Sequence, residues 1–356
     1  MMKGKKIKIL HVLKSDRYSG AENVIITIIQ QLSDQFDFIY VSTDGPIRSV
    51  LEHEQIPNQL VKTFDKRHIQ KVIAECNPDI VHAHDFMASF LCTLSRGKFC
   101  LISHLHYDPP WTKKWNIRTL AYSACIWRIR RLLVVSERMY LGLKFAKIYE
   151  NKMENIGNPL DEQRILKMAK IPVSKDESLY SDLIFVGRLE EQKNPERFIR
   201  LVAELKRRGW ASVKALMLGE GQLQSECRQM IHELKLERNV FMKEFQQNPY
   251  PYMASARILC ITSRWEGFGL VAAEADILGI PVLTTMTSGC TEIFGENAPE
   301  LCRSDQEFIE KIELLNRDIN EYQLWKKRSE KRAMQWRNIE DYMANIAAIY
   351  RCEALR

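Results

Sequence analysis

The feature that most constrains the fold is an alternation of short, apolar, β-rich runs with longer helical patterns, and this alternation occurs twice. The first series includes KIKILHVL, DIVHAH and RRLLVVSE, and the second, which follows a polar segment at 161–181, includes DLIFVGRL, ILCITS and IPVLTT. Strands that alternate with helices predict a parallel sheet that helices cover on both faces. Because 356 residues also exceed the usual size of one hydrophobic core, we predict two such sheets.

The two series predict an α/β fold class with two Rossmann-like domains that face each other across a cleft. We predict an N-terminal domain at 1–160, a second domain at 161–335, and a C-terminal helix at 336–356 that crosses back to the first domain. In open α/β sheets, ligands bind at the carboxyl ends of the strands, and here those ends would line the cleft.

Charge and cysteine content narrow the functional classes. The net charge of +7 is concentrated in residues 1–160, which hold 23 Lys and Arg against 15 Asp and Glu, but no nucleic-acid recognition motif accompanies it. Nine cysteines without a C-x-x-C pair argue against a disulfide framework or a zinc site and favour the buried thiols of a reducing compartment. No stretch approaches the roughly 18 apolar residues of a membrane span. We therefore expect a cytoplasmic protein whose membrane contact would be peripheral, on the inner face.

One carboxylate stands out in the stretch SRWEGFGLVAAEADILGIPVLTT, because Glu274 lies in an otherwise apolar helical pattern. A buried carboxylate without a partner is costly or takes up a proton, so a partner is expected. The turn RWEGFG contains Glu266 and would present free backbone N–H groups from Gly267 to Leu270 as an anion site. A carboxylate that accepts hydrogen bonds from vicinal hydroxyls often holds ribose. The alternative is that the helix dipole or an arginine stabilises Glu274.

Two other loops that follow predicted strands carry candidate phosphate ligands. Arg188 and Lys193 lie just beyond one strand, and a guanidinium fork with a point charge suits a diphosphate. Gly20, in SDRYSGAE, would let a ligand approach the backbone at the start of a helix. The alternatives are two solvated loop charges and an ordinary turn without a ligand. The absence of a G-x-G-x-x-G fingerprint argues against a dinucleotide-dependent oxidoreductase.

Taken together, these segments resemble the retaining glycosyltransferases of the GT-B fold, of the family 4-like, bacterial surface-polysaccharide type. SGAE is similar to the family's G-G-A-E loop, FVGRLEEQKN to its G-R-L…K-N segment, and NPYPYMASA to N-P-Y-x-Y-M-x-x-A-D. Glu266 and Glu274 form an E-x7-E motif, and SGCTEI is similar to S-G-x-x-E-I. The sequence departs from the family pattern at Ser19, where glycine is common, and at Asp276, where a small or apolar residue is usual.

The resemblance implies a nucleotide-sugar site in the second domain and an acceptor site in the first. Glu274 would bind the ribose, Glu266 the donor sugar, and two loop cations the diphosphate of a UDP-sugar. The residues so implied are, for catalysis, His106, Glu266, Arg188 and Lys193, and, for donor binding, Gly20, Glu274, Gly267, Phe268, Gly269, Leu270 and Phe245. No metal and no cofactor are expected, in agreement with the absence of a D-x-D loop. The acceptor would be a saccharide or a polyprenyl-linked sugar.

His106 corresponds to a strand-end histidine of the family, and its implied role is to orient the donor sugar and the incoming hydroxyl. His104 lies two residues earlier and so on the same face of the strand, and His84 and Asp85 in HAHDF are further candidates. The alternative is a histidine with a purely structural role.

Tryptophans and cations interleave in the region 111–131, a pattern that suits an anionic membrane surface. The alternative is an amphipathic helix whose tryptophans pack inward and whose cations are solvated. For the chain as a whole, a rival function is a catalytically silent GT-B subunit that binds a nucleotide-sugar or a partner enzyme, although the intact motif argues against it.

Overall fold

The computed structural model describes residues 6–173, 180–337 and 339–355, and it divides the chain into two compact units. Within these ranges, unit 1 comprises the residues up to Pro159 and those from Ile339 onward, and unit 2 begins at Leu160. Part of the polar segment predicted between the domains, residues 174–179, lies outside the described residues.

Unit 1 contains a parallel sheet with β1 near its centre. Its seven described strands are β1 (Lys8–Leu13), β2 (Asp37–Thr43), β3 (Asn58–Val61), β4 (Ile80–His84), β5 (Cys100–Leu105), β6 (Ile129–Val134) and β7 (Met153–Asn155). They lie in the order β3-β2-β1-β4-β5-β6-β7. The strand order reverses between β1 and β4, so the loops after these strands meet at the switch point where ligands bind in such sheets.

Unit 2 contains a second parallel sheet of the same kind. Its six described strands are β8 (Ser181–Val186), β9 (Ala215–Leu218), β10 (Val240–Lys243), β11 (Ala256–Ile261), β12 (Val282–Thr285) and β13 (Leu301–Cys302). The order β10-β9-β8-β11-β12-β13 places the switch point between β8 and β11. The loops after these strands carry the two motifs that the sequence singles out.

Helices connect the strands and cover both faces of each sheet. They are α1 (Gly20–Leu32), α2 (Ile47–His53), α3 (Lys66–Cys76), α4 (Phe86–Thr93), α5 (Ile117–Ala124), α6 (Glu137–Leu141), α7 (Glu162–Ala169), α8 (Pro195–Arg207), α9 (Gln224–Glu233), α10 (Tyr250–Ala254), α11 (Leu270–Ile277), α12 (Ser288–Phe294), α13 (Asp305–Arg317), α14 (Ile319–Ala333) and α15 (Ile339–Ala354). The prediction of two Rossmann-like α/β sheets is confirmed. None of the helices in the described ranges is long and apolar enough to cross a bilayer.

The strands of unit 2 are apolar throughout because both faces of the sheet are buried. Successive residues of β8 alternate between two cores: Leu183 and Phe185 pack into one and Ile184 into the other. When helices cover both faces of a sheet, neither face of a strand contacts water, so polar residues do not alternate with apolar ones. This burial explains why the sequence shows continuous apolar runs.

The polar segment 161–181 begins with a helix of unit 2, although its composition is typical of a linker. Asp161 caps α7 by accepting a hydrogen bond from the backbone N–H of Arg164 at 2.8 Å. Ile165 buries its side chain, and α7 packs on α10. One buried apolar residue on a short polar helix gives little hydrophobic periodicity, so the helix was missed.

The C-terminal helix α15 belongs to unit 1, as the sequence predicts. It packs against α1 and β4, and Ile346 and Tyr350 are fully buried there. The preceding α14 remains in unit 2, where it packs on α11 and buries Trp325.

Candidate functional site

The switch point of unit 2 holds a buried ion pair between the two predicted loops. Nζ of Lys193, after β8, lies 2.5 Å from Oε1 of Glu266, after β11. The hydroxyl of Ser263 donates to the same oxygen at 2.6 Å. The side chain of Glu266 is 8% exposed and that of Lys193 19%. Two predicted site residues are therefore in direct contact, and each fixes the position of the other.

Backbone contacts hold the same two loops together. The side-chain amide of Gln192 donates to the carbonyl of Trp265 at 3.1 Å, and the backbone N–H of Arg264 donates to the carbonyl of Gln192 at 2.7 Å. Arg188, at the end of β8, pairs with Glu190 at 3.0 Å and is 39% exposed. Its guanidinium is therefore accessible, and its partners in the described residues, the Glu190 carboxylate and the Gln192 side-chain oxygen, belong to the same loop.

Two glycines, one in the turn and one packed against it, determine the shape of the turn before α11. Gly269 has φ +94°, which non-glycine residues rarely adopt, and it is the residue before α11 begins. At Gly289, a Cβ would lie 2.4 Å from the carbonyl oxygen of Phe268, so only glycine fits against the turn. Within the described residues, the backbone N–H groups of Gly267, Phe268 and Gly269 donate to no protein acceptor. Together with the N-terminus of α11 at Leu270, these N–H groups form the candidate anion site that the sequence analysis describes.

Glu274 lies in α11 and meets one neutral donor. The hydroxyl of Tyr250 donates to its Oε1 at 3.1 Å. Burial raises the pKa of Glu274 to about 7, and this rise is limited by the Tyr250 hydrogen bond and by the charges of Arg164 and Lys193. The carboxyl therefore titrates much closer to neutral pH than an ordinary glutamate. A group in this state gains from further hydrogen-bond donors, which is what a ribose offers.

Asp276, the departure from the family pattern, is explained by the packing of α14. The guanidinium of Arg332 contacts both of its carboxylate oxygens, at 2.9 and 3.0 Å, and also lies 2.6 Å from Glu300. Burial raises the pKa of Asp276 to about 6 despite this cation. Asp276 is thus a structural link between α11 and α14, separate from the candidate anion site before α11.

Phe245 lies beyond the carboxyl end of β10. Its side chain is 39% exposed, and its backbone N–H donates to the carboxylate of Glu220 at 3.0 Å. The β10 strand lies two positions from β8 in the sheet. Phe245 therefore lies at the carboxyl ends of the strands, where the motif loops also lie, but away from the Lys193–Glu266 ion pair.

In unit 1, the predicted Gly20 loop lies at the other switch point. Gly20 is exposed and is the first residue of α1. The hydroxyl of Ser19 donates to the carboxylate of Glu22, which is buried. Where the family pattern has glycine, the serine at this position therefore supplies a partner for a buried acid.

Histidines from three adjacent strands of unit 1 form a stack that reaches His106. His11 lies on β1, His82 and His84 on β4, and His104 on β5, and these four are fully buried, whereas His106 is partly exposed. Nδ1 of His84 lies 2.8 Å from Nε2 of His106, and Nε2 of His84 lies 2.9 Å from Nδ1 of His11. His106 is therefore held by a second imidazole behind it.

Burial keeps these imidazoles neutral. It lowers the pKa of His11 and of His106 to about 3, and it lowers the pKa of His84 well below its usual value. Asp85, the other strand-end candidate, caps α4 by accepting from the N–H of Ala88 at 2.9 Å, and burial raises its pKa to about 7. The lowered pKa favours the neutral form of His106, which can act as a hydrogen-bonding group.

Two partners in these sites were not predicted from the sequence. Tyr250, which meets Glu274, lies in the NPYPYM segment, which only the family resemblance marks, and Ser263, which meets Glu266, ends a predicted strand. The histidine stack left a signal: HAH and HLH repeat histidine at the two-residue period of a strand.

Two family models match the chain in succession. The model described as "Glycosyltransferase Family 4" matches residues 18–164, and the model described as "Glycosyl transferases group 1" matches residues 169–332. The matched ranges follow the two units closely. They include the end of the loop after β1 and all of the loops after β4, β8 and β11.

Curated relatives and a solved structure are also similar to this chain. An N-acetylgalactosamine-N,N'-diacetylbacillosaminyl-diphospho-undecaprenol 4-alpha-N-acetylgalactosaminyltransferase of Campylobacter jejuni is 36% identical over 152 residues, 42% of this chain and 40% of the relative. The O-antigen biosynthesis glycosyltransferase WclY of Escherichia coli is 23% identical over 82% of this chain and 83% of its own. The crystal structure of Anabaena HepE with UDP-glucose superposes with a TM-score of 0.79 at 18% identity, covering 96% of this chain and 99% of the other.

Proposed function

The chain belongs to the glycosyltransferases of the GT-B fold, and on this premise we propose that it transfers a sugar from a UDP-sugar to a saccharide or lipid-linked acceptor. The UDP and UDP-glucose complexes of HepE support the choice of donor. The names of the Campylobacter and Escherichia relatives support an acceptor in cell-surface polysaccharide synthesis, such as a diphospho-undecaprenol-linked sugar.

The observation that carries the proposal is the ion pair at the switch point of unit 2. In the reaction, negative charge grows on the leaving diphosphate, and preorganised cations and N–H groups stabilise such charge best. Lys193 contacts Glu266, Arg188 is accessible, and within the described residues the turn N–H groups donate to no protein acceptor. We assign the diphosphate to these three donors, the donor sugar to Glu266 and the ribose to Glu274.

Unit 1 is assigned the acceptor side, with His106 as the group that orients the reacting hydroxyl and Gly20 as a point of close approach. We further propose that the anomeric configuration is retained and that no metal is required, since Lys193 and Arg188 supply the countercharge. Anomer analysis of the product by NMR and activity in the presence of a chelator test these two points. An inverted product, or activity that a divalent ion restores after chelation, would contradict them.

A paired substitution tests the site assignment. Glu274→Ala should weaken UDP binding, whereas Glu266→Ala should leave UDP binding intact and reduce sugar transfer. Calorimetry with UDP and a donor-hydrolysis screen across UDP-sugars measure the two effects. If both variants bind UDP and turn over like the parent, the assignment is wrong. If the parent binds UDP but transfers no sugar with any donor, the rival function of a silent subunit is favoured.

We also propose that the region 111–131 docks unit 1 on an anionic membrane surface. Trp115 and Trp127 are 50% and 72% exposed, and Ile117 on α5 is 83% exposed. Trp111, in contrast, packs on Phe86 with ring centroids 4.9 Å apart, so only part of the aromatic set points inward. No acidic residue occurs between 109 and 136, while the same stretch holds six Lys and Arg. Three of these cations, Lys113, Arg130 and Arg131, form ion pairs with acids outside the stretch. Exposed indoles beside the other three cations suit a headgroup layer.

Sedimentation with vesicles tests this docking. Vesicles that contain phosphatidylglycerol should pellet the protein more than neutral phosphatidylcholine vesicles do, and less so at high salt. The double variant Trp115→Ser, Trp127→Ser should lose this binding, whereas Ile319→Ser, at a 60% exposed site in unit 2, should keep it. Equal binding to both vesicle types, or none to either, would contradict the electrostatic docking.

A further inference from the structure

The histidine stack of unit 1 ends on a tyrosine of the C-terminal helix. The hydroxyl of Tyr350, on α15, lies 2.7 Å from Nδ1 of His82 and 3.5 Å from Nε2 of His11. From His11 the contacts continue to His84 and then to His106. A continuous line of hydrogen-bonding groups therefore joins the buried hydroxyl of Tyr350 to the partly exposed imidazole of His106.

A line of neutral imidazoles has a direction. Each neutral ring carries one N–H and one acceptor nitrogen, so His84 donates on one side and accepts on the other. If His84 donates through Nδ1 to His106, it must accept at Nε2 from His11. Reversing any one of these bonds reverses all of them. The proton-bearing nitrogen of His106 is therefore set by the far end of the line.

The direction of these hydrogen bonds depends on which ring nitrogen of His82 carries the proton. Its Nε2 is buried and has no hydrogen-bond partner within the described part of the chain. We assign Nε2 of His82 as the unprotonated nitrogen, because this choice leaves no N–H of that ring buried without an acceptor. His104 has no such choice, since neither of its nitrogens has a partner in the described residues. Nδ1 of His82 then donates to the oxygen of Tyr350, whose own O–H is left to point to Nε2 of His11.

We propose that Tyr350, His11 and His84 are positioning residues that hold His106 in the tautomer with the proton on Nδ1. The bonds run from Tyr350 to His11, from His11 to His84 and from His84 to Nε2 of His106. Nδ1–H of His106 remains as a hydrogen-bond donor. This inference deepens the proposed function, and its catalytic consequence rests on it: His106 would donate to an oxygen of the reactants.

The same nitrogens are a poor match to a metal site. Histidines 84, 104 and 106 bring one ring nitrogen each within 4.8 Å of one another. However, the nitrogens of His84 and His106 lie 2.8 Å apart, whereas two nitrogens bound to one tetrahedral zinc at 2.0–2.1 Å would be about 3.3 Å apart. A separation of 2.8 Å fits a proton shared between the two rings.

Nitrogen-15 NMR of histidine-labelled protein tests the proposal without substrate. At pH 7.5, His106, assigned from the spectrum of a His106→Gln variant, should show a protonated Nδ1 and an unprotonated Nε2. A proton on Nε2, or on both nitrogens, would overturn the proposal. So would a stoichiometric shift of the His84 and His106 signals on addition of zinc. None of these results depends on the protein having transferase activity.

A matched pair of substitutions tests the far end of the line. Tyr350→Phe removes the terminal O–H, and Tyr342→Phe on the same helix removes a buried hydroxyl that has no hydrogen-bond partner in the described residues. Tyr350→Phe should mix the two tautomers of His106 and lower kcat about two- to tenfold, the worth of one hydrogen bond, with KM within twofold. Tyr342→Phe should change neither. Identical nitrogen signals and kcat in the two variants would refute the positioning role.

Discussion

Replacing Glu274 by glutamine should change how UDP binding depends on pH. The pKa of Glu274 is raised to about 7 by burial, and ribose hydroxyls donate best to the ionised form. The fraction of ionised carboxylate falls from about nine-tenths at pH 8 to about one-tenth at pH 6 for such a group. The affinity of the parent for UDP should therefore fall about tenfold more over this range than that of Glu274→Gln. The glutamine variant should itself bind UDP about ten- to a hundredfold more weakly at pH 8, since it loses a charged acceptor.

Calorimetry in buffers of different ionisation enthalpy measures this effect directly. At pH 7, UDP binding to the parent should release about half a proton more than binding to Glu274→Gln, and the difference should vanish near pH 9. UDP protonation is common to both proteins and cancels in the comparison. Tyr250→Phe provides a control that keeps the Glu274 carboxylate but removes the Tyr250 hydrogen bond, which lowers the pKa of Glu274. Loss of this hydrogen bond should therefore shift the pH dependence of UDP binding to higher pH. Equal proton release by parent and Glu274→Gln would refute the assignment of Glu274 to the ribose.

Three other predictions concern charges in unit 2. Arg332→Met leaves Asp276 and Glu300 buried without their cation and should lower the free energy of unfolding by about 3–5 kcal/mol at pH 8. Because loss of the cation raises the pKa of the buried carboxyls, the loss of stability measured by thermal unfolding should be smaller at pH 5.5. Lys193→Met leaves Glu266 with Ser263 as its remaining partner and should lower the melting temperature by about 6–12 °C. Glu266→Gln should bind UDP within twofold of the parent but transfer sugar about a hundredfold more slowly, as initial-rate kinetics would show.

The sequence predicts the central strands of both sheets and the edge strand β10, but not the short edge strands β3, β7 and β13. The runs that became β1, β4, β8 and β11 are apolar on both faces, so their composition alone marks them. The strands that were missed, β3, β7 and β13, have four, three and two residues. So short a run carries no readable period, and its pairing is decided by the neighbouring strand.

For the site, sequence spacing predicted which residues share a loop but not which side chains pair. The E-x7-E spacing places Glu266 before α11 and Glu274 within it, and the structure agrees. The contact of Glu266 with Lys193 joins positions 73 residues apart and follows from the adjacency of β8 and β11. Tyr250 was missed for the same reason, since its contact with Glu274 depends on how α10 packs. Side-chain pairing across a sheet edge is a tertiary property that no local pattern records.

The two acids of α11 show how a structural carboxylate can be distinguished from one kept for a ligand. Asp276 and Glu274 lie two residues apart, both are buried, and burial raises the pKa of both. Asp276 meets a guanidinium through both oxygens, whereas Glu274 meets a single phenol hydroxyl among the residues that the structure describes. A carboxylate with two charge-assisted bonds has little left to gain from a ligand, while one with a single neutral donor gains from every further donor. The difference in partners, rather than burial or a raised pKa, therefore supports the proposed binding role of Glu274 and explains the structural role of Asp276.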